Sequence, residues 1–291
     1  MDERSVPVEV PLDLRRTLRP LHGVFADDGW WLAARTPKGA GTLRVHRTRR
    51  ELVGTAWGDG ATWMLERLGA IAGLDDDLAA FVTDHPSVAD LHRRNPGYRF
   101  GRTGLVFDAL VAAICAQKVT GTEARRAMRG LRDAFSDPAP GSLPGLRLPP
   151  DPDRLAAAPY WGLHRLHLEK RRADILRQVA GAAGQIDALA SEHHTRAAEV
   201  LSRLTGVGAW SIAKTLAVSH GDPDQVAVGD FHLKHIVVHH LTGKDRGTDE
   251  EMLELLEPFR PHRGRVARLL HLLGPAPRFG PRLAPREFTR S

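Results

Sequence analysis

Two glycines that bracket a valine, Gly206-Val207-Gly208, separate two segments with the apolar spacing of helices, AAEVLSRL and AWSIAKTLAV. So short a connection makes the second helix turn sharply away from the first, and glycine permits that turn. The amides of the turn and of the second helix's first turn then point outward together. The pattern predicts either a tight corner that needs glycine only for steric reasons, or a site for an anion such as a nucleic-acid phosphate. In both cases Val207 fills the gap between the helices.

Length, charge and apolar runs favour a protein that binds a phosphate-rich partner and argue against a membrane protein. The chain has 291 residues, enough for two domains or for one large helical domain with an appendage. Its net charge is +6 and arginine outnumbers lysine, which favours a phosphate-rich partner. The longest apolar run, residues 109–116, is too short to span a bilayer, and the N-terminus lacks the pattern of a secretory signal. We therefore expect a cytoplasmic protein with no membrane partner.

The secondary-structure pattern changes near residue 60. Before it, the runs LHGVFA, GWWLAAR and GTLRVH are separated by turn signals and predict strands. After it, short amphipathic helices dominate, interrupted by a loop with six prolines at residues 136–153. We expect Thr122 to cap the helix that contains TEARRAMRGL. The predicted domains are a β-rich domain at 1–70, a helical core at 71–275 with the hairpin at 205–208, and a basic Pro/Arg-rich tail at 276–291.

Four histidines follow Asp230 within ten residues: His232, His235, His239 and His240. Histidines at positions i and i+4 of a helix can chelate zinc, which makes a metal site the first hypothesis. The chain has no HExxH motif and one cysteine, Cys115, and a metal would also claim Asp230 as a ligand. We expect no bound metal and no cofactor, and histidines that contact phosphate or solvent.

Asp230 follows Gly208 by 22 residues, in the context VAVGDFHLKH. Together with FDALVAAICAQKVT, LTGVGAWSIAKTLAV and RPHRGRVARLLHLL, this arrangement resembles the helix-hairpin-helix DNA glycosylases, and among them the monofunctional 3-methyladenine DNA glycosylase II family. The resemblance covers most of residues 70 to 275 and is weaker before them. It implies a mainly α fold with two helical subdomains around a cleft, and a small N-terminal α/β domain that contains an antiparallel sheet.

The resemblance also implies the chemistry. Asp230 matches the catalytic carboxylate, which stabilises the positive charge that develops on the sugar. The residue is also suited to cap a helix that starts at Phe231, and the two roles are compatible. Trp210 stands where strand-cutting relatives carry a nucleophilic lysine, so simple hydrolysis that leaves an abasic site is expected. Lys214 replaces a residue that is usually aromatic in the family, and could instead contact phosphate.

The remaining site residues follow from the same resemblance. Gly206, Val207, Gly208 and Ser211 match the hairpin that binds the DNA backbone. Gln117 and Lys118 match the loop that fills the space left by a flipped nucleotide, where a lysine replaces the usual apolar residue.

The base pocket is expected at Trp210 and Phe231, whose aromatic faces suit a positively charged alkylated purine, and at Leu273, where relatives have a tryptophan. Core packing is the alternative role for both aromatic residues.

We therefore expect a monomeric, nucleoid-associated enzyme of base excision repair that acts on double-stranded DNA with damaged bases and removes alkylated purines. Two alternatives stay open: a non-catalytic protein that binds distorted DNA, and a glycosylase for bulkier or crosslinked adducts. A single cysteine excludes the four-cysteine iron–sulfur cluster that other relatives carry.

Overall fold

A computed structural model describes residues 1–278, 280 and 284–285. Most of the predicted basic tail at 276–291 lies outside the described residues. The N-terminal region forms one antiparallel sheet of five strands in the order β1-β5-β4-β3-β2. The strands are β1 (Asp2–Pro7), β2 (Val24–Ala26), β3 (Gly29–Thr36), β4 (Gly39–Arg47) and β5 (Glu51–Trp57).

Both faces of this sheet are covered. On one face, Leu32, Leu43 and Leu52 join a buried core that includes residues from the first helices after the sheet. On the other face Trp31 stacks on Trp57, with ring centroids 5.1 Å apart. The proline-rich loop is attached to the sheet, because the Arg35 guanidinium donates to the carbonyl of Pro149 over 3.2 Å. The loop therefore lies on the surface but is fixed in place.

Helices account for about half of the remaining described residues. In chain order they are α1 (Leu14–Leu18), α2 (Ala61–Glu66), α3 (Leu68–Ile71), α4 (Pro86–Arg94), α5 (Val106–Cys115), α6 (Gly121–Phe135), α7 (Pro152–Ala156), α8 (Tyr160–His164), α9 (Lys170–Gly181), α10 (Ala183–Ala188), α11 (His194–Ser202), α12 (Ala209–Ser219), α13 (Leu233–Thr242), α14 (Asp249–Leu256) and α15 (Arg263–His271). Short 3₁₀ turns lie at Arg19–Leu21, Leu189–Ser191 and Glu257–Phe259.

The helices build two hydrophobic cores. One surrounds α5 and contains apolar side chains of α6, α9, α11 and α12. The other contains apolar side chains of α4, α13, α14 and α15. Two helical groups and an N-terminal antiparallel sheet are the expected fold class, which is confirmed. The division of the chain at residues 70 and 275 stays a prediction. Within the described ranges, no helix is both long and apolar enough to cross a membrane.

Helix α5 is held at both ends by side chains from other helices. At its start, Asp187 of α10 accepts a hydrogen bond from the backbone N–H of Phe107 over 2.9 Å, which supplies the cap that the neighbouring Leu105 cannot. At its end, the buried guanidinium of Arg172 donates to the carbonyl of Cys115 over 2.7 Å. These contacts fix the position of the loop that follows α5.

The expected cap of α6 was wrong by two residues. Thr120, not Thr122, caps this helix: its hydroxyl accepts from the N–H of Glu123, and the Glu123 carboxylate accepts in return from the N–H of Thr120. This reciprocal pair is a capping box, which requires the glutamate three residues after the threonine. Thr122 has no such partner at that spacing.

Candidate active site

The hairpin connects α11 to α12, and its two glycines differ in their surroundings. Gly206 has φ +85°, and a Cβ atom there would lie 2.4 Å from Cδ1 of Ile175, so both the conformation and the space require glycine. Gly208 precedes α12 in an extended conformation, and a Cβ atom there would have no neighbour within 4 Å. Val207 is 4% exposed and packs in the core around α5. Steric need therefore explains Gly206 but not Gly208.

The loop after α5 is attached to this hairpin. The side-chain amide of Gln117 donates to the carbonyl of Gly206 over 3.0 Å and to the hydroxyl of Ser211 over 2.8 Å. Ser211 is buried in the first turn of α12. Lys118 is exposed and has φ +52°, a left-handed conformation uncommon for a residue with a side chain. In this loop Gln117 thus faces the hairpin, and Lys118 is the exposed residue.

Asp230 lies beside the hairpin and accepts three hydrogen bonds. Oδ2 accepts from Nε1 of Trp210 over 3.1 Å, and Oδ1 accepts from the backbone N–H groups of His232 and Leu233 over 3.0 and 3.1 Å. The expected start of the next helix at Phe231 was wrong, because α13 begins at Leu233. Because the carboxylate accepts hydrogen bonds from the backbone N–H groups of residues 232 and 233, residues 231 and 232 form a turn that precedes the helix.

These hydrogen bonds determine the charge of Asp230. Partial burial by itself would raise the pKa of this carboxyl group. The hydrogen bonds from Trp210, His232 and Leu233 and the positive charge of Lys214 outweigh burial, so the pKa of Asp230 lies below its ordinary value. Asp230 is therefore a fixed anion at neutral pH, suited to stabilise a nearby positive charge and unable to donate a proton.

The three residues expected in a base pocket have different environments. Trp210 is half-buried and its indole N–H is taken up by Asp230. Phe231 is 62% exposed and meets the ring of His232 edge-on, with centroids 4.9 Å apart. Leu273 is 48% exposed, just after the end of α15. The structure joins Trp210 directly to Asp230, and it leaves Phe231 and Leu273 with large apolar surfaces open to solvent.

Lys214 lies one turn after Trp210 on α12. Its side chain is exposed, and Nζ lies 5.9 Å from the centroid of the Trp210 ring. Protein nevertheless surrounds it closely enough that desolvation lowers the pKa of Lys214, which the charge of Asp230 opposes and that of Arg268 reinforces. Lys214 is therefore open to solvent, although protein atoms lie around it.

The charges of Lys214 and Asp230 also act on a basic residue that the sequence did not single out, His271. Burial lowers the pKa of His271, the negative charge of Asp230 opposes this, and the positive charges of Lys214, His232 and Arg19 reinforce it. These contributions come from residues of α12, of the loop before α13 and of the turn after α1, so all three lie within electrostatic range of the end of α15. No local pattern marks His271 as a site residue, because its nearest neighbours in the sequence are leucines, LLHLL. Its contribution arises only from the fold.

The histidines of α13 contact three separate places. Nδ1 of His235 accepts from the N–H of Gly247 over 3.2 Å. His239 donates from Nδ1 to the carbonyl of Lys244, and His240 donates from Nε2 to the carbonyl of Gly274, each over 3.1 Å. Over the part of the chain that the structure describes, no three His, Cys, Asp or Glu side chains are grouped so as to hold a metal ion. These histidines attach loops to α13.

Comparisons with known proteins show what the chain is similar to. No protein-family model and no curated protein matches the sequence. Among solved structures, a 3-methyladenine DNA glycosylase from Archaeoglobus fulgidus aligns with a TM-score of 0.73 at 18% identity, over 93% of this chain and 97% of that chain. MBOgg1 in complex with a low-affinity DNA ligand aligns with a TM-score of 0.72 at 17% identity, over 92% of this chain and 93% of that chain.

A third similar structure is the 8-oxoguanine glycosylase/lyase of Clostridium acetobutylicum, bound to double-stranded DNA with cytosine opposite 8-oxoguanine. It aligns with a TM-score of 0.70 at 13% identity, over 92% of this chain and 96% of that chain. The alignments extend over the sheet as well as the helices, and they cover nearly the full length of each protein. The chain has the fold of the helix-hairpin-helix DNA glycosylases.

Proposed function

We propose that the protein is a monofunctional DNA glycosylase that flips an alkylated purine out of double-stranded DNA and hydrolyses its N-glycosidic bond, leaving an abasic site. The observation that carries this proposal is the state of Asp230: an ionised carboxylate held by three hydrogen bonds beside the hairpin. The fold, which is that of solved DNA glycosylases, agrees with this proposal.

The geometry of Asp230 suits cleavage through a sugar cation. As the bond between the base and C1′ breaks, the sugar gains oxocarbenium character, and a fixed anion beside it stabilises that charge. The hydrogen bonds that hold the carboxylate are made before the reaction, so little reorganisation is needed as charge develops. Water can then add at C1′. Asp230 needs no proton of its own for this role.

The residue at position 210 supports hydrolysis without strand cleavage. A covalent mechanism would need an amine close to C1′, and the residue two positions after Gly208 is Trp210. Its indole N–H holds Asp230 and leaves the ring as a face for a base. Stacking against such a face is how a flipped base is commonly held.

DNA binding is proposed for two adjoining surfaces. The first is the hairpin, where the open surroundings of Gly208 allow a phosphate to approach the first amides of α12. The second is the loop after α5, where the exposed Lys118 can enter a groove or contact phosphate. Gln117 joins the two surfaces, so both act on the same stretch of duplex. One subunit contains all these parts, and we propose that a monomer works alone.

The test uses a duplex with one 7-methylguanine or one 3-methyladenine. Release of the free base and formation of alkali-sensitive sites are measured for the parent protein, for Asp230→Asn and for the control Asp174→Asn, which changes an exposed aspartate of α9. We expect base release by the parent and the control and a loss of at least a hundredfold in Asp230→Asn. Equal activity of Asp230→Asn and parent would exclude the catalytic role.

The same assay distinguishes the alternatives. DNA strands that break before alkali treatment would contradict hydrolysis alone. Tight binding to the damaged duplex without release of any base would favour a non-catalytic protein that recognises distorted DNA. Release of crosslinked or bulky bases, with small methylated ones left intact, would favour the alternative suggested by the exposed Phe231 and Leu273.

A further inference from the structure

We propose that Lys214 selects the substrate class of this site: its side chain donates a hydrogen bond or a proton to the departing base, which favours alkylated purines that are electrically neutral over those that carry a positive charge. This inference rests on the proposed glycosylase function and adds a substrate preference to it. Its basis is the position of Lys214 relative to Trp210 and Asp230.

The geometry places an amine and a carboxylate around one indole ring. Nζ of Lys214 lies 5.9 Å from the centroid of the Trp210 ring, and Nε1 of that ring donates to Asp230 over 3.1 Å. Lys214 is exposed, so a base that stacks on Trp210 meets the amine directly. Asp230 then faces the sugar side of the same nucleotide. In the proposed complex the amine acts on the base and the carboxylate acts on the sugar.

Of the charges that act on Lys214, that of Arg268 is positive and that of Asp230 is negative, while His22 and His271 are uncharged at neutral pH because burial lowers their pKa. Arg268 reinforces the lowering of its pKa, and Lys214 in turn lowers the pKa of His22 and His271, which places these groups near each other. Asp230 is the acidic group that acts on Lys214, and it is already hydrogen-bonded three times. A purine methylated at N3 or N7 would bring a further positive charge into this region. Like charges at such distances repel one another, which raises the barrier to binding that base.

A neutral base, unlike a positively charged one, needs a proton donor in order to leave. Without a positive charge it is a poor leaving group, because it departs with the electron pair of the broken bond and must be neutralised by a proton. As the bond between N9 and C1′ breaks, the electron pair goes to the base, and the ammonium of Lys214 gives its proton to an acceptor nitrogen of that base. Water then adds to C1′ and gives up a proton, which restores the ammonium. The balance needs no other reactant.

The local environment makes Lys214 a better proton donor than an ordinary lysine. Desolvation lowers its pKa, so the ammonium loses a proton more readily than it would in water. Arginine at the same place would keep the positive charge but would not give up a proton. Glutamine would remove both the charge and the acid. These two substitutions therefore separate repulsion of a cation from donation of a proton.

The experiment compares two duplexes that differ only in the lesion: the neutral 1,N6-ethenoadenine and the cationic 7-methylguanine. Single-turnover rates of base release, corrected for spontaneous loss, are measured for the parent, Lys214→Gln, Lys214→Arg and the control Lys38→Gln, which changes an exposed lysine in the turn between β3 and β4. We expect the parent to release ethenoadenine. In Lys214→Gln the rate of ethenoadenine release should fall about a hundredfold, and the rate of 7-methylguanine release should rise severalfold. In Lys214→Arg the rate of ethenoadenine release should also fall, but the rate of 7-methylguanine release should not rise.

The decisive result is that the two rates change in opposite directions in Lys214→Gln. A residue that only stabilises the fold or contacts the DNA backbone would change both rates in the same direction. Melting temperatures, and binding to a duplex with an uncleavable abasic analogue, report folding and DNA contact separately. A parallel change of both rates, an unchanged ratio, or a parent that releases only 7-methylguanine overturns the role of Lys214 and leaves the glycosylase proposal intact. A parent that releases neither base overturns both.

Discussion

The indole N–H of Trp210 donates a hydrogen bond to Oδ2 of Asp230 over 3.1 Å, although the two residues are 20 positions apart in the chain. Through this contact the first turn of α12 holds a carboxylate that also accepts from the backbone N–H of Leu233, the first residue of α13. A residue expected only to stack against a base thus also sets the orientation and the charge of the candidate catalytic group.

Trp210→Phe keeps an aromatic face and removes that donor. Because a hydrogen bond to a charged group contributes about 1.5–3 kcal/mol, we expect base release to slow by roughly tenfold to a hundredfold. The pKa of Asp230 is lowered in the parent, so activity is lost only as the pH falls below the ordinary value of 3.8. Losing the donor raises this pKa, so the acid limb should move to higher pH. A pH–rate profile whose acid limb is unmoved would contradict the role of the indole.

The two hairpin glycines should respond differently to alanine. Gly206→Ala forces a side chain into a left-handed conformation and against Ile175, so we expect a loss of about 2 kcal/mol or more in unfolding free energy. Gly208→Ala meets no neighbour, so its stability should change by less than about 0.5 kcal/mol. Its new methyl group should instead weaken DNA binding, measured by fluorescence anisotropy. Unchanged DNA affinity in Gly208→Ala would favour the hairpin as a steric corner only.

Arg172 should be important for stability, although it touches neither Asp230 nor the hairpin. It is 1% exposed and donates to Glu169, to the carbonyl of Cys115 and to the carbonyl of His167. Arg172→Met removes all three bonds, so we expect a loss of about 3–5 kcal/mol in urea unfolding. The neighbouring Arg171 is exposed, and Arg171→Met is the matched control. Similar stability of the two variants would contradict the importance of the buried guanidinium.

Asp108 should make the protein less stable as the pH rises. Desolvation and the nearby Asp187 raise its pKa to about 8, against the opposing charges of Arg132 and Arg35. Between its ordinary value of 3.8 and about 8, the folded protein keeps a proton that the unfolded chain has lost, so stability falls across this range and levels off above it.

The variant Asp108→Asn should flatten this pH dependence. Urea unfolding at pH 5, 7 and 9 measures both proteins, and the variant should be relatively more stable than the parent at pH 9 than at pH 5. The same slope in both proteins would show that Asp108 is ionised in the fold.

Local patterns predicted the sheet, the helical character of the rest and the hairpin, because strand alternation, helical spacing and paired glycines act over a few residues. Helix starts were less well predicted. Thr122 was expected to cap α6, but Thr120 caps it because Glu123 lies three residues after Thr120. Helix α13 starts after Phe231 because Asp230 accepts from two amides that follow it. Motif spacing pointed to Asp230 but not to its partner.

Other parts of the site could not be predicted because they depend on long-range packing. Nothing near His22 or His271 in the sequence indicates that both lie close to Lys214, since they come from opposite ends of the chain. The contact of the Gln117 amide with a carbonyl 89 positions later was not predicted, and its proposed role at the DNA surface stays a prediction. Only the folded chain determines which side of a loop faces inward.

That bond from Gln117 has a mechanical consequence. One amide joins the loop after α5 to the hairpin, so the spacing between the two proposed DNA-contacting surfaces is set by the protein. A duplex that binds both must adopt the shape they impose, and the cost of that deformation depends on the stiffness of the DNA. Damage that weakens stacking makes the helix easier to bend. The flexibility of the DNA would then limit which duplexes bind, before any base reaches Asp230.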